Sequence, residues 1–196
     1  MSTLTVKNIQ GVSPTNQITV PTGHRIIAPA GGVLVPGQVV QVKQTVKTDT
    51  WTAAPGAGAY SEVTGFSVSI TPYSVTSKIM VMVNAYVGSS NYQIKGLVKR
   101  NGTTIVQGDA IGTRPRSSFM IITYAGGAGN DSYQLKPTAF NYLDSPSTTS
   151  ACVYTVELGA YETQTVTFNR SVNFQQSSND YDAVPTSTIT VMEIAH

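Results

Sequence analysis

Ten Asp and Glu residues could carry out acid–base chemistry in this chain, and they are dispersed along its 196 residues. Hydrolysis of a glycosidic bond requires two carboxyl groups that face each other across a cleft, about 5–10 Å apart. The candidates for such a pair are Asp109, Asp144, Glu157 and Glu162. One class of polysaccharide-cleaving proteins is much longer and carries its site on a repetitive parallel coil, whereas this sequence has no internal repeat. The sequence therefore predicts a protein that is not an enzyme.

Two further positions carry ligand atoms that could bind a cation. Asp180 and Asp182 offer hard oxygen ligands at alternate positions, but their segment lacks the Gly and the distal Glu of a calcium-binding loop. This favours a solvated turn and leaves Ca²⁺ as the open alternative. His24 would bind a metal ion or an anion if three copies met at a threefold axis, although an ordinary subunit contact is the favoured interpretation. The sequence therefore predicts no cofactor and no metal ion.

Cys152 is the single cysteine, so neither an internal disulfide nor a thiolate metal cluster is expected. Its neighbours Ala151, Val153 and Tyr154 form an apolar, strand-like segment. Free cysteine in such surroundings behaves as a small hydrophobic side chain, which predicts a buried and unreactive thiol.

Charge and hydropathy argue against several classes of partner. The net charge of +2 is small and scattered, which predicts no nucleic-acid partner. The longest apolar run, at 79–83, is too short to span a membrane, and residues 1–4 lack the features of a signal peptide. Charged residues make up 11% of the chain, against about 25% in ordinary globular domains, so hydroxyls and amides dominate its polar side chains. This composition favours a structural or binding protein.

From residue 38 onward, short runs rich in Val, Ile, Thr and Tyr alternate with turns of Gly, Pro, Asn and Asp. The absence of helical periodicity predicts an all-β fold, an antiparallel β-sandwich of jelly-roll-like form. Asn101 and Gly102 predict a tight hairpin because both tolerate positive φ. The run 78–87 is apolar on both faces, which predicts a central strand, whereas 51–59 is interpreted as a flexible loop. The predicted strands are 39–49, 63–70, 78–87, 92–100, 103–108, 118–124, 133–143, 151–158, 165–169 and 187–194.

Residues 1–37 have a different pattern, with short alternating pieces that are each closed by Pro or Gly. Strands of three to five residues cannot bury a core within one chain. Sister chains or a partner surface must therefore cover their apolar faces and pair their open edges. We interpret 1–37 as an extended attachment and trimerisation arm, and 38–196 as the β-sandwich domain. The predicted contact residues of the arm are Leu4, Val6, Ile9, Ile18, Val20, Ile26, Val33 and Val35.

The aromatic residues are dominated by tyrosine, with ten Tyr against five Phe and one Trp. Tyrosine combines rigid contact area with a polar tip, so it is enriched in recognition loops and also at subunit seams. Both interpretations stay open for the tyrosines in or beside loops. The candidate receptor-contact residues are Tyr60, Tyr73, Tyr92, Tyr161 and Tyr181.

Several segments of the chain resemble one group of proteins as a set. They are STLTVKNIQ at 2–10, QVKQTVKTD at 41–49, GFSVSITP at 65–72, NYLDSPSTTS at 141–150 and STITVMEI at 187–194. Together they resemble small virion structural or tail-fibre-like proteins of marine and cyanobacterial tailed phages, over nearly the whole chain. The resemblance implies an N-terminal attachment arm and a C-terminal β-domain in a trimer, and it supplies no catalytic residues.

The resemblance also implies where such a chain acts. We expect a non-enzymatic virion protein, made in the host cytoplasm, that forms a homotrimeric appendage such as a tail fibre. Its partners would be its own copies, other tail or capsid proteins, and a glycan or protein of the host surface. A capsid decoration, cement or head-fibre protein is the first alternative, and a short carbohydrate-active tail spike is the second.

Overall fold

A computed structural model describes residues 9, 20–27, 35–90, 93–121, 133–174 and 183–196. The chain divides into two compact units, Met1–Val33 and Leu34–His196. Within the first unit, residues 20–27 are exposed, and a turn at 22–23 is closed by the His24 amide, which donates to the Pro21 carbonyl at 3.0 Å. The strands of the described residues all belong to the second unit.

The second unit is built from β-strands, and none of the described residues lies in an α-helix. No described segment therefore forms a helix with the length and apolar character that a membrane span needs. The strands are β1 (Val39–Lys47), β2 (Trp51–Ala53), β3 (Tyr60–Ile70), β4 (Lys78–Ser89), β5 (Ile94–Arg100), β6 (Thr103–Val106), β7 (Phe119–Ile121), β8 (Lys136–Asp144), β9 (Cys152–Ala160), β10 (Val166–Phe168) and β11 (Ser187–Ile194).

The strands form two antiparallel sheets that pack face to face. In the first sheet the long strands follow the order β1-β11-β4-β8, and the short strands β10 and β2 continue beside the far end of β4. In the second sheet the order is β3-β9-β5, and both β6 and β7 pair with the remaining edge of β5. Successive long strands cross from one sheet to the other, and this order is that of a jelly roll. The predicted β-sandwich is confirmed.

The core lies between the two inner sheet faces. In β4 the inward residues Ile79, Val81 and Val83 are fully buried, because alternate side chains of a strand point to the same face. Phe66 of β3 and Phe168 of β10 meet across the gap, with their ring centroids 4.8 Å apart. The core therefore draws on both sheets, as a sandwich requires.

Several local predictions are confirmed, but residues 107–108 and 133–135, predicted to lie in strands, lie outside them, and one loop prediction is wrong. β4 is central, and the β5–β6 turn places Asn101 and Gly102 at φ values of 48° and 81°. Residues 51–53, predicted as part of a flexible loop, form a strand instead. Trp51 packs against the core, and its strand pairs with β10. The predicted strand residues at 92 and 122–124 lie outside the described residues.

A polar cluster joins the two sheets at one end of the core. Asp144, the last residue of β8, accepts hydrogen bonds from the Arg100 guanidinium and, at 2.7 Å, from the Tyr154 hydroxyl. Burial, reinforced by the hydrogen bond to Asp144, raises the pKa of Tyr154 far above its ordinary value of 10. Cys152, nearby on β9, is fully buried as predicted, and burial raises the pKa of its thiol.

The raised pKa of Tyr154 predicts alkaline destabilisation. The folded state keeps this phenol protonated, while the unfolded chain releases the proton above pH 10, so this contribution to stability is complete below pH 10 and falls as pH rises. Its slope approaches about 1.4 kcal/mol per pH unit. In Tyr154→Phe, the free energy of unfolding in urea should decline less steeply between pH 9 and 11 than in the wild type. Parallel declines in the two proteins would contradict this assignment.

Candidate functional site

The four carboxylates proposed for glycoside chemistry do not form one site. Asp144 points into the sandwich, whereas Glu157 points outward from β9, where the Lys99 ammonium lies 2.6 Å from it. Asp109 and Glu162 are exposed in loops. The second sheet thus separates the two carboxylates of this set that form ion pairs. Asp144 lies on its inner side and Glu157 on its outer side. Nor do three His, Cys, Asp or Glu side chains meet as metal ligands would within the described parts of the chain.

The outer face of the first sheet carries an apolar row that crosses four strands. Val42 pairs with Met192, Met192 with Met80, and Met80 with Leu143, so these side chains lie side by side at one level of the sheet. Val42 and Leu143 are exposed, and the two methionines are half-buried. We call these four residues the apolar row.

The apolar row belongs to a larger surface that has no charged side chain. Fourteen residues belong to it. They are the outward residues of β4 from Met80 to Tyr86 and the residues that pair with them across β11, β1 and β8, and we call them the uncharged face. They are Val42, Gln44, Val46, Met80, Met82, Asn84, Tyr86, Pro137, Ala139, Asn141, Leu143, Thr188, Thr190 and Met192. The next outward position of β4 beyond Met80 is Lys78, whose ammonium donates to Ser145 and which marks the end of the face. A shallow depression of about 230 Å³ lies between Tyr86 and Pro137.

The outer face of the second sheet is charged. Glu62 pairs with Glu157, and Lys95 and Lys99 point outward from β5 beside them. At one end of this face, Gly159 of β9 lies between Tyr60 of β3 and Lys95 of β5.

Because Gly159 has no side chain, the Tyr60 ring lies across it, and the Lys95 ammonium is 5.7 Å from the ring centroid. This contact is a cation–π interaction. The Tyr60 hydroxyl donates to the Arg116 carbonyl at 3.2 Å, which ties the sheet to the β6–β7 loop. Burial, and secondarily the charge of Glu157, raise the pKa of Tyr60.

A groove of about 260 Å³ opens beside Tyr60 and Lys95, and we call it the groove. Its lining combines two cationic groups with hydroxyl, amide and apolar groups. The lining residues are Gln93, Lys95, Arg114, Pro115, Ser117, Met120 and Tyr161. The loop wall is fixed in place, because Ser118 donates its amide to the Gly96 carbonyl at 2.8 Å and its hydroxyl to the Val106 carbonyl at 2.6 Å.

Lys95 is the unusual residue of the groove. Its side chain lies on the covered part of the sheet, and the residue is only 9% exposed. Among the described residues its ammonium has the Tyr60 ring as its neighbour, and no carboxylate lies within ion-pair distance. The carboxylate of Glu157 is held by Lys99 instead. The side chain is largely covered, and a cation that lines a groove without a carboxylate partner attracts an anionic group from outside.

The structure separates the tyrosines that the sequence proposed for receptor contact. Tyr60 and Tyr161 stand at the groove end of the second sheet, where Tyr161 follows β9 and is 63% exposed. Tyr73 lies at the opposite end of β3, with its backbone amide bound to Glu193 at 2.8 Å. Tyr92 and Tyr181 lie outside the described residues.

The predicted contact residues of the arm are described only in part. Ile9, Val20, Ile26 and Val35 are exposed. His24 is exposed too. The remaining predicted residues of the arm and of the calcium alternative lie outside the described residues. These are Leu4, Val6, Ile18, Val33, Asp180 and Asp182.

Sequence reasoning missed the groove, although its charges were visible. Lys95 belongs to one small basic group of the sequence, with Lys99 and Arg100, and Arg114 belongs to another with Arg116. Neither group forms a basic stripe, so neither indicated a site. Only the pairing of β5 with β7 brings Lys95 and Arg114 to the same groove.

Comparison with known proteins gives little that bears on this chain. No protein-family model matches it, and no curated protein matches it. Among solved structures, the chain is similar to VP2 in the infectious bursal disease virus subviral particle, with 12% sequence identity and a TM-score of 0.37. The match covers 91% of this chain and 37% of the viral chain. A score this low does not establish a shared fold.

The close approach at Gly159 gives a test of the groove geometry. A Cβ atom there would lie 2.5 Å from the Ala59 carbonyl oxygen and 2.8 Å from the Tyr60 ring. Gly159→Ala should therefore lower the free energy of unfolding by about 1–3 kcal/mol. Gly108→Ala is the matched control, because nothing lies within 4 Å of its added atom. Equal stability of the two variants in chemical denaturation would refute this close approach.

Proposed function

We propose that this chain is a non-enzymatic phage virion protein that forms a homotrimeric appendage, is anchored by its N-terminal arm, and presents the β-sandwich to the host surface. The uncharged face is the observation that carries the proposal. Jelly rolls are common in viral coat and lectin domains, so the fold is compatible with this role. The resemblance of the sequence to tail-fibre-like virion proteins supports the same setting.

The uncharged face has the composition of a subunit interface. Interface cores are depleted in charged residues and enriched in methionine and aromatic residues, and this face has three methionines, one tyrosine and no charge. The second sheet, by contrast, carries two glutamates and two lysines on its outer face. A second copy of this chain is the occupant that we propose, since the shallow depression beside Tyr86 offers a place for a side chain of a neighbouring subunit.

The arm supplies the attachment in this proposal. Ile9, Ile26 and Ile27 are each more than 60% exposed, so apolar side chains of this segment lack cover among the described residues. Main-chain hydrogen bonds and apolar contacts to another virion protein would provide that cover. Attachment through many short strands is slow to reverse, because all of these contacts must break together.

The assembly is tested with two identical substitutions on opposite sheets. Val42 lies on the uncharged face and is 52% exposed. Val153 lies on the outer face of the second sheet and is 38% exposed. The wild type should sediment at three times its chain mass of 20.8 kDa. Val42→Glu should raise the dissociation constant of the trimer roughly 100-fold, because it would bury an unpaired charge at the subunit contact. Val153→Glu should leave assembly unchanged. A monomeric wild type, or equal effects of both substitutions, would contradict this interface.

The anchor is tested on particles. Full-length chain and a chain that starts at Leu34 are expressed with a tag during infection, and purified particles are probed for the tag. The shortened chain keeps the whole second compact unit, so we expect it to melt as a folded domain and to be absent from the particles. Its incorporation at the level of the full chain would show that the anchor lies elsewhere. A copy number like that of the major capsid protein would instead favour capsid decoration.

A further inference from the structure

We infer that the groove binds a carboxylate-bearing sugar, such as a uronic acid unit of a host surface polysaccharide. The inference names the ligand class for the host contact and so rests on the proposed function. Its basis is the placement of a largely covered lysine that has no carboxylate partner among the described residues, a second cation and an exposed aromatic ring around a space that fits one sugar ring.

Lys95 and Arg114 supply the recognition of the carboxylate. Lys95 lines the groove, and its ammonium lies 5.7 Å from the centroid of the Tyr60 ring, which favours this position before any ligand arrives. Charge-assisted hydrogen bonds to a carboxylate are about twice as strong as neutral ones, and a guanidinium adds planar, two-pronged contact. A ligand carboxylate would thus give Lys95 the counter-ion that the described residues do not provide.

The other lining groups suit the ring of a sugar. Tyr161 is 63% exposed and offers a broad ring face, and Met120 is 58% exposed beside it. The apolar C–H face of a sugar packs against such surfaces, while Ser117 and Gln93 can hydrogen-bond to its hydroxyl groups.

A bare anion fits this lining less well. Phosphate or sulfate would occupy only the cationic side of the groove and would not cover the Tyr161, Met120 and Pro115 side chains. A neutral sugar would offer the Lys95 and Arg114 cations no carboxylate and so would lose the charge-assisted hydrogen bonds. Both charge and ring are therefore needed for full contact.

The test uses the full-length protein and four probes: methyl glucuronide, methyl glucoside, N-acetylneuraminic acid and inorganic phosphate. Binding is followed by NMR, from the shifts of backbone amides and of the tyrosine ring signals. Methyl glucuronide should bind with a dissociation constant on the order of 1 mM, as expected for a ligand of this size. It should shift the signals of residues 93–96 and 114–120, and methyl glucoside should bind at least about tenfold more weakly.

Three variants and one control separate the contributions of charge and ring. Lys95→Met keeps the length of the side chain and should weaken methyl glucuronide binding about tenfold. Arg114→Gln changes an exposed loop and should weaken methyl glucuronide binding by a similar factor. It tests the role of charge even if Lys95→Met does not fold. Lys43→Met removes an exposed charge from the first sheet and should have no effect. Tyr161→Ala should weaken both sugars without changing phosphate binding.

The outcomes distinguish this inference from the proposed function. Equal binding of methyl glucoside and methyl glucuronide would overturn it, as would phosphate binding as tight as that of the sugars. If N-acetylneuraminic acid binds and methyl glucuronide does not, the ligand is still a carboxylate-bearing sugar, but it is not a uronic acid. A trimeric protein that shows no sugar-induced shifts overturns the inference and leaves the assembly intact. A monomer that binds methyl glucuronide would support the inference and overturn the proposed trimer.

Discussion

The contact between the inner faces of the two sheets is the interaction on which the rest of this structure depends. It buries the inward residues of β4, such as Val81 and Val83, and brings Phe66 and Phe168 together. Because side chains alternate along a strand, filling this core also fixes which side chains point outward. A slip of β4 by one residue would place Met80 in the core and expose Val81. The uncharged face and the groove are both consequences of that alternation.

Buried polar groups complete the sandwich where its strands end. Glu193, fully buried at the end of β11, accepts from the Gln41 side chain at 2.6 Å and from the Tyr73 amide. Asn169, after β10, donates to the Lys47 carbonyl at 2.8 Å and accepts from Ser187 at 2.5 Å. A buried polar group without a partner costs about 1–3 kcal/mol, so these contacts hold strand ends that apolar packing alone would leave loose.

The two outward faces differ in their chemistry, and the proposed roles follow from this difference. The uncharged face can lose water at little electrostatic cost, which suits contact with another copy of the chain. The outer face of the second sheet keeps its charges, and the groove lies at one end of it. One jelly roll can therefore assemble through one sheet while it presents the other. In the proposed trimer, three grooves would strengthen a weak interaction with a surface polysaccharide without any new contact.

The sequence by itself determined the features that depend on neighbouring residues. The hairpin at Asn101 and Gly102 follows from their tolerance of positive φ, and the central place of β4 follows from its two apolar faces. The tertiary structure decided the rest, because strand pairing joins residues that are far apart in sequence. Trp51 has no alternating pattern around it and lies in a strand only because β10 pairs with it. Lys95 and Arg114 became one site, and the apolar row became one surface, only through the register between strands, which the order of the residues does not encode locally.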